Sequence, residues 1–192
     1  MRVIAGSLGG RRLRAPVGRM TRPTSDRVRE AVFAMLDDVG EARVLDLFAG
    51  TGALGIEALS RGARRAVFVE RDAGVVRVLN GNLATLGIAT EAVEVRRADA
   101  LQALRTASAR EETYDLVFID PPYGRARPAP PASGAPNAER WGPELSAILP
   151  SVLSPGARVV VESDRRAPLE LELPLERHRR YGDTSITIHR HQ

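Results

Sequence analysis

Apolar runs and segments of helical periodicity alternate along the middle of the chain. Four short apolar runs predict strands, at residues 43–48, 66–70, 93–96 and 115–119. Helices are predicted between them: one ends at about Ser60, a second is capped by Asp72 and stopped by Gly87, and a third runs from Asp99 to about Thr106. Continuous apolar strands that alternate with helices are typical of a parallel sheet covered on both faces. The pattern therefore predicts an α/β fold.

The amino-terminal segment departs from this alternation. Residues 1–23 predict a small β-hairpin with a Gly-Gly turn at 9–10. Thr24 or Ser25 can then cap a helix. Its predicted buried stripe comprises Val28, Ala31, Val32, Met35 and Leu36. We therefore divide the chain into an extension, residues 1–23, and one domain, residues 24–192.

The carboxyl-terminal part is predicted with less regular spacing. Residues 124–143 are rich in Pro, Ala and Gly and predict a mobile loop. A helix is predicted near 143–151, followed by strands at 158–162 and 185–189. Trp141 lies in the loop, where it can anchor the loop or stack on a nucleic-acid base. We interpret the charged run Arg177–Arg180 as solvated surface.

Positive charge is concentrated near the amino terminus. Residues 1–30 hold eight arginines against Asp26 and Glu30, a net charge of +6, whereas the whole chain carries +4. Such clustering is typical of a protein that binds a polyanion. None of the 28 basic residues is lysine. A genome rich in G and C explains that bias, so the inference depends only on where the charge lies.

Composition excludes some classes of protein. The chain has no cysteine, so it has neither disulfides nor thiolate metal sites. No apolar run approaches the roughly 20 residues that span a bilayer. The chain also becomes polar too early for a signal peptide, and we expect a cytoplasmic protein. His178, His189 and His191 have no carboxylate at metal-ligand spacing, so we expect surface histidines and predict no metal site.

A glycine-rich segment between the first strand and its helix indicates a cofactor site. Residues 46–55, Asp-Leu-Phe-Ala-Gly-Thr-Gly-Ala-Leu-Gly, contain Gly-x-Gly-x-x-Gly, and Glu70 ends the next strand. Glycine lets a cofactor lie against bare backbone, and the carboxylate can accept from ribose hydroxyls. The loop by itself does not distinguish NAD from S-adenosylmethionine. Three features favour the latter: Asp46 would repel a pyrophosphate, Asp99 can accept from an adenine amino group, and no second domain holds a dehydrogenase substrate.

The tetrapeptide Asp120-Pro121-Pro122-Tyr123 follows the fourth strand and indicates chemistry on an amino group. Ligands of open parallel sheets bind outside the carboxyl ends of the strands, so this turn and the glycine loop share one edge. The prolines remove N–H donors, which leaves the Asp120 carboxylate and a proline carbonyl as acceptors. These acceptors can orient an exocyclic amino group, and Asp120 can stabilise the charge that develops on nitrogen. Tyr123 can stack on a base that has left its own stack.

These residues resemble a known family, the bacterial 16S rRNA guanine-N2 methyltransferases of the D type. The resemblance covers nearly the whole chain, and the matching segments are residues 1–6, 10–13, 21–33, 44–55, 120–123 and 181–184. It implies a Rossmann-like, seven-stranded, mostly parallel sheet and S-adenosylmethionine as methyl donor. It also implies a guanine N2 acceptor in 16S RNA, in an assembled or assembling 30S subunit, and a basic hairpin that grips RNA. We further expect a monomer and no membrane association.

The resemblance also implies roles for individual residues. Cofactor contacts are expected from Asp46, Phe48, Gly50, Thr51, Gly52, Glu70, Arg71, Asp99 and Ala100, with Glu70 at the ribose and Asp99 at the adenine. Acceptor chemistry is expected from Asp120, Pro121, Pro122 and Tyr123, and RNA contacts from Arg11, Arg12, Arg14, Arg22 and Arg27. One departure is the stretch 125–143, which is longer and richer in proline than is usual for the family. It can form a lid, an RNA-contacting flap or a disordered insertion, of which we favour the last.

Other functions stay open from the sequence. An enzyme of this kind can act on adenine N6 in DNA or RNA, or on a glutamine amide in a protein. Asp120 argues against the glutamine enzymes, which usually carry Asn there, and only the basic extension argues against the adenine enzymes. A different class of function is a non-catalytic RNA-binding or ribosome assembly factor that retains the pocket.

Overall fold

The computed structural model describes residues 1–16, 25–122 and 137–192. Arg22, Thr24, Tyr123 and most of the loop predicted at 124–143 lie outside these residues. The described helices are α1 (Asp26–Leu36), α2 (Ala53–Ser60), α3 (Ala73–Leu86), α4 (Ala100–Ala109) and α5 (Asn137–Ile148). The strands are β1 (Arg43–Asp46), β2 (Arg65–Val69), β3 (Val93–Arg96), β4 (Tyr114–Ile119), β5 (Leu153–Asp164), β6 (Leu175–Tyr181) and β7 (Thr184–Arg190). Short 3₁₀ turns cover Thr90–Ala92 and Leu149–Val152.

The described strands form one seven-stranded sheet in the order β3-β2-β1-β4-β5-β7-β6. The first five strands are parallel, and β7 and β6 add an antiparallel pair at one side. Asp46 of β1 is in register with Phe68 of β2 and Phe118 of β4. The residues that follow these three strands therefore meet at one edge of the sheet. The predicted seven-stranded, mostly parallel α/β fold is confirmed.

Two apolar layers cover the faces of this sheet. One contains α1, α2 and α3, and there Phe33 and Phe118 pack with ring centroids 5.7 Å apart. The other contains α4 and α5, with Leu104 and Leu145 fully buried. Burying both faces explains why the central strands are continuously apolar. In the described part of the chain, no helix is both long enough and apolar enough to cross a membrane.

Side-chain caps fix the helix starts that determine where the site residues lie. Ser25 accepts from the Val28 amide, Asp72 from the amides of Gly74 and Val75, and Asp99 from the Leu101 amide. These bonds satisfy amide groups that the first helical turn leaves without partners. The predicted caps at Ser25, Asp72 and Asp99 are confirmed, as is the stop at Gly87, which takes the left-handed conformation.

The structure corrects the predicted amino-terminal hairpin. Within residues 1–16, a single antiparallel bridge between Arg2 and Arg12 takes the place of two strands. Backbone bonds from Val3 to Arg11 and from Leu13 to Met1 close the loop around it. Val3 and Leu13 are buried in the layer that contains α1. We call residues 1–14 the arm, and it packs against the sheet domain along its length.

The carboxyl-terminal predictions also need correction. The helix predicted near 143–151 begins at Asn137, inside the predicted loop, and holds Pro143 in its interior. Strand β6, Leu175–Tyr181, was not predicted, because as an edge strand it is mostly exposed and lacks apolar alternation. His178 is exposed as expected, but His189 is buried on β7. The backbone carbonyl of Leu173 and the Thr187 hydroxyl lie at hydrogen-bond distance from its ring.

Candidate active site

The glycine loop turns sharply between β1 and α2 through two left-handed residues. Gly50 and Gly52 have φ of 52° and 83°, a region that residues with a side chain seldom adopt. A Cβ atom built on Gly52 would lie 2.4 Å from a methyl carbon of Leu79. Among the described residues, a Cβ atom built on Gly50 would have only the Phe48 carbonyl oxygen within 4 Å, at 3.9 Å. Glycine is therefore required at position 52 because Leu79 packs closely against it. At position 50 it leaves the backbone accessible to a ligand.

Asp46 ends β1 directly beneath this loop. Its side chain is buried, and one carboxylate oxygen accepts from the Gly55 amide at 3.1 Å. Burial raises the pKa of Asp46, the bond from Gly55 opposes the rise and the nearby negative charge of Glu70 adds to it, so that the pKa lies at about 7. A cationic ligand would favour the ionised form. The position therefore fits the predicted attraction for a sulfonium or an ammonium group.

Glu70 follows β2 and links the glycine loop to the turn that begins α3 through hydrogen bonds. Its two carboxylate oxygens accept from the backbone amides of Gly50, at 3.2 Å, and of Asp72, at 2.8 Å. Each carboxylate oxygen has a further lone pair, so Glu70 can accept from ribose hydroxyls while it holds the loop. Arg71, beside it, is exposed. Glu70 is therefore held at the end of β2 beside the glycine loop, and its contact with a ribose stays a prediction.

Asp99 lies beyond the end of β3 and begins α4. One of its oxygens caps the helix at 3.0 Å from the Leu101 amide. The next residue, Ala100, is buried. A structural role as a cap is therefore established for Asp99, and an adenine contact remains a prediction beside it.

The Asp-Pro-Pro turn begins where β4 ends, beside β1. Asp120 is half-buried, Pro121 is buried and Pro122 is exposed. Because β1 and β4 are neighbours in register, this turn and the glycine loop adjoin at the same edge. The structure thus brings together two of the predicted groups, the cofactor residues and the acceptor residues.

Phe48 and Trp141 form an aromatic wall at this edge. Their rings meet edge to face, with centroids 5.3 Å apart and an interplanar angle of 86°. Such a pair adds roughly 0.5–1.5 kcal/mol beyond its buried area. Trp141 therefore anchors the start of α5 against Phe48 of the glycine loop. Trp141 thus lies in α5 and packs against Phe48, whereas anchoring of the loop and stacking on a base both stay predictions.

The predicted RNA-binding arginines that the structure describes lie on the arm and on α1. Arg12, Arg14 and Arg27 are exposed. Arg11 is exposed as well, and its guanidinium donates to the Thr85 carbonyl at the end of α3, at 2.9 Å. In contrast, Arg29 is fully buried, where it donates to the Arg2 carbonyl and to Asp26. Burial lowers the pKa of Arg29.

Sequence reasoning missed a set of buried polar residues that hold the arm. Glu57 accepts from the amides of Ile4 and Ala5, and Ser60 accepts from the amide of Leu8. Asn82 is also buried and bonds to the arm. Each was hidden in a helix whose apolar pattern it interrupts. The available signal was a polar side chain at a buried helical position, because such groups are almost always hydrogen-bonded.

The sheet order, with its antiparallel β7, is that of the class I methyltransferases. The same fold occurs in a crystal structure of an RNA methyltransferase from Salinibacter ruber in complex with S-adenosyl-L-homocysteine, with a TM-score of 0.59 and 24% identity over 88% of this chain and 92% of that one. This chain belongs to the family of the ribosomal RNA small subunit methyltransferase D proteins. The family model, described as Conserved hypothetical protein 95, matches residues 1–190.

Individual relatives agree with this assignment. The Bacillus subtilis (strain 168) protein YlbH is 38% identical over 99% of this chain and 98% of its own length. Ribosomal RNA small subunit methyltransferase D of Haemophilus influenzae is 35% identical over 88% of this chain and 81% of its own. The structure of yhhF from Escherichia coli superposes with a TM-score of 0.77, at 32% identity, and covers 100% of this chain and 98% of that one.

Proposed function

We propose that this chain transfers a methyl group from S-adenosylmethionine to the exocyclic N2 amino group of a guanine in 16S rRNA. The observation that carries the proposal is the register of β1 with β4, which sets the glycine loop beside the Asp-Pro-Pro turn. Relatives of this chain are named as ribosomal RNA small subunit methyltransferases. They support a ribosomal substrate, which implies a cytoplasmic site of action.

The residues present fit S-adenosylmethionine. Gly50 offers accessible backbone, Glu70 offers a carboxylate for the ribose, and buried Asp46 offers a carboxyl group that a cationic ligand would ionise. Phe48, Thr51 and Gly52 complete the loop, and Arg71, Asp99 and Ala100 lie at the ends of the adjacent strands. When bound, S-adenosylmethionine supplies an electrophilic methyl group at this edge of the sheet.

Asp120 is proposed to act on the acceptor. Its carboxylate accepts from one N–H of the guanine amino group, and the Pro121 carbonyl accepts from the other. Both acceptors would orient the nitrogen, whose lone pair would form the new N–C bond as the bond between the methyl group and the donor sulfur breaks, with S-adenosylhomocysteine as the leaving group. Asp120 stabilises the positive charge that develops on nitrogen and takes the proton that nitrogen loses. Pro122 makes the turn rigid, and Tyr123 is proposed to stack on the base.

The arm is proposed to bind the RNA. Arg12, Arg14 and Arg27 are exposed, and the arm packs on the same layer as the glycine loop. With Arg11 and Arg22 they would neutralise phosphates, which positions the substrate without reading its sequence. Residues 1–23 would thus be the RNA-binding extension of a methyltransferase domain, residues 24–192. We propose that the substrate is the 30S subunit and that the enzyme acts as a monomer.

Substitution of Asp120 tests the proposed chemistry. Asp120→Ala removes the acceptor and the base, so methyl transfer should fall on the order of 100-fold or more. Affinity for S-adenosylhomocysteine, measured by calorimetry, should stay within about twofold, because Asp120 acts on the acceptor. Turnover like that of the wild type in this variant would refute the mechanism. A matched loss of cofactor affinity would place Asp120 in the cofactor site instead.

A further inference from the structure

Asn82 connects the arm to the glycine loop through one buried side chain. It lies on α3 and is 2% exposed. Its amide nitrogen donates to the Thr51 carbonyl at 3.0 Å and to the Arg14 carbonyl at 3.1 Å. Its amide oxygen accepts from the Arg14 backbone amide at 2.8 Å. A single side chain therefore holds both backbone polar groups of Arg14 and one peptide of the loop.

This arrangement is costly unless it is fully bonded. Asn82 lies on the same helical face as Leu79, Leu83 and Leu86, which are all buried. A buried amide without partners is unfavourable, so the residue is tolerated there because its donors and acceptor are all engaged. The bonded Thr51 carbonyl lies between Gly50 and Gly52, the two left-handed residues of the loop. Asn82 therefore restrains the orientation of a peptide that lies between two glycines of positive φ.

The rest of the arm has its own anchors. Residues 4–8 are held on α2 by Glu57 and Ser60, whose bonds do not include the glycine loop. A Cβ atom on Gly6 would lie 1.8 Å from the Ser60 carbonyl oxygen, so this contact is tight. Loss of Asn82 would therefore release the Arg14 end of the arm and the Thr51 peptide together, while the first part of the arm stays in place.

We propose that Asn82 is a positioning residue that couples the cofactor loop to the Arg14 end of the arm. The inference rests on the proposed function in one respect, because it takes S-adenosylmethionine or its product to be the ligand of the loop. A ligand seated on the loop stabilises the Thr51 peptide in its bonded orientation. Through Asn82 it then orders the chain at Arg14, next to the exposed arginines. By reciprocity, a polyanion that orders this part of the arm raises cofactor affinity by the same factor.

The experiment follows amide hydrogen exchange across residues 3–14 of the full chain, with and without saturating S-adenosylhomocysteine. In the wild type, the ligand should slow exchange of the Arg14 amide several-fold, with a smaller change at residues 4–8. Asn82→Leu replaces the amide with an apolar side chain of similar size and removes all three bonds. We expect it to lower the affinity for S-adenosylhomocysteine by about tenfold, the effect of roughly one net hydrogen bond to the loop. It should also abolish the ligand-induced slowing of exchange at the Arg14 amide.

Two further variants keep the test independent of folding. Asn82→Asp retains an acceptor for the Arg14 amide but loses the donors to Thr51 and Arg14, so it should also lose the response. Ser60→Ala removes a buried arm anchor that does not touch the loop. It should speed exchange near Leu8, leave S-adenosylhomocysteine affinity within about twofold and preserve the response at Arg14. This control separates coupling from general loosening of the arm.

The outcomes distinguish this inference from the proposed function. If the wild type binds S-adenosylhomocysteine without any change at Arg14, the coupling is refuted and the methyltransferase proposal stands. Persistence of the response in both Asn82 variants would likewise refute the role of Asn82. Failure of the wild type to bind S-adenosylhomocysteine at all would overturn both proposals.

Discussion

Replacing Asp46 with asparagine removes a buried charge and keeps the shape of the side chain. The amide oxygen of the new side chain can still accept from the Gly55 amide, as the carboxylate does at 3.1 Å. In the wild type, burial raises the pKa of Asp46 from 3.8 to about 7. Between these values the folded protein keeps a proton that the unfolded chain releases. Stability contributed by protonated Asp46 is therefore full below about pH 4 and is lost as the pH rises to about 7.

The size of the expected change in stability follows from the size of the pKa shift of Asp46. Each pKa unit corresponds to about 1.4 kcal/mol, so the ionised form costs on the order of 4 kcal/mol above pH 7. Asp46→Asn does not titrate and escapes this cost. Its free energy of unfolding, relative to the wild type, should therefore rise by about 3 kcal/mol between pH 5 and pH 8. In urea this corresponds to a relative midpoint shift on the order of 1 M.

The assay is urea unfolding of both proteins across pH 5 to 8 without cofactor. The slope of the difference with pH is the test, because any constant effect of the new amide cancels. A difference that does not change with pH would refute the buried, raised-pKa account of Asp46. The same variant should bind S-adenosylmethionine more weakly at pH 8 than the wild type does, with a smaller loss for S-adenosylhomocysteine, whose sulfur is uncharged. Equal losses for both ligands would exclude an interaction with the sulfonium.

The arm and the packing beneath the glycine loop can be tested by substitution as well. Changing Arg11, Arg12 and Arg14 to alanine should weaken RNA binding. Titrations at several salt concentrations should show that the slope of log K against log salt concentration falls in magnitude by about 0.7–0.9 per lost phosphate contact. An unchanged slope would show that the arm does not contact the RNA. Gly55→Ala should destabilise the fold by roughly 1–3 kcal/mol in urea unfolding, because its Cβ atom would lie 2.3 Å from the buried Phe68 ring. Stability equal to that of the wild type would show that this ring can move.

Much of the fold could be predicted because burial on both faces leaves a clear pattern. The four apolar runs became β1 to β4, and the caps Asp72 and Asp99 begin the helices expected of them. The shared edge of the two turns followed from parallel topology alone. Strand β6 escaped because an edge strand needs no apolar alternation, and its charged residues resemble ordinary surface.

Long-range polar contacts could not be predicted from the sequence. Glu57 bonds to amides more than 50 residues away, and Asn82 to residues 31 and 68 positions away. Local pattern cannot reveal such partners, because a polar residue on a helix is usually solvated. His189 illustrates the same limit: it was expected at the surface and is buried among backbone and hydroxyl partners.

The most direct test of the proposed function is the transfer of tritiated methyl groups from S-adenosylmethionine to undermethylated 30S subunits, followed by nucleoside analysis of the 16S RNA. We expect label in N2-methylguanosine, at a single position, and no label with the Asp120→Ala variant. Label in N6-methyladenosine, or in DNA or protein with none in RNA, would contradict the assignment of guanine as the substrate. The conclusions on the fold and the cofactor would be unaffected. Binding of RNA without any transfer would indicate the non-catalytic assembly factor instead.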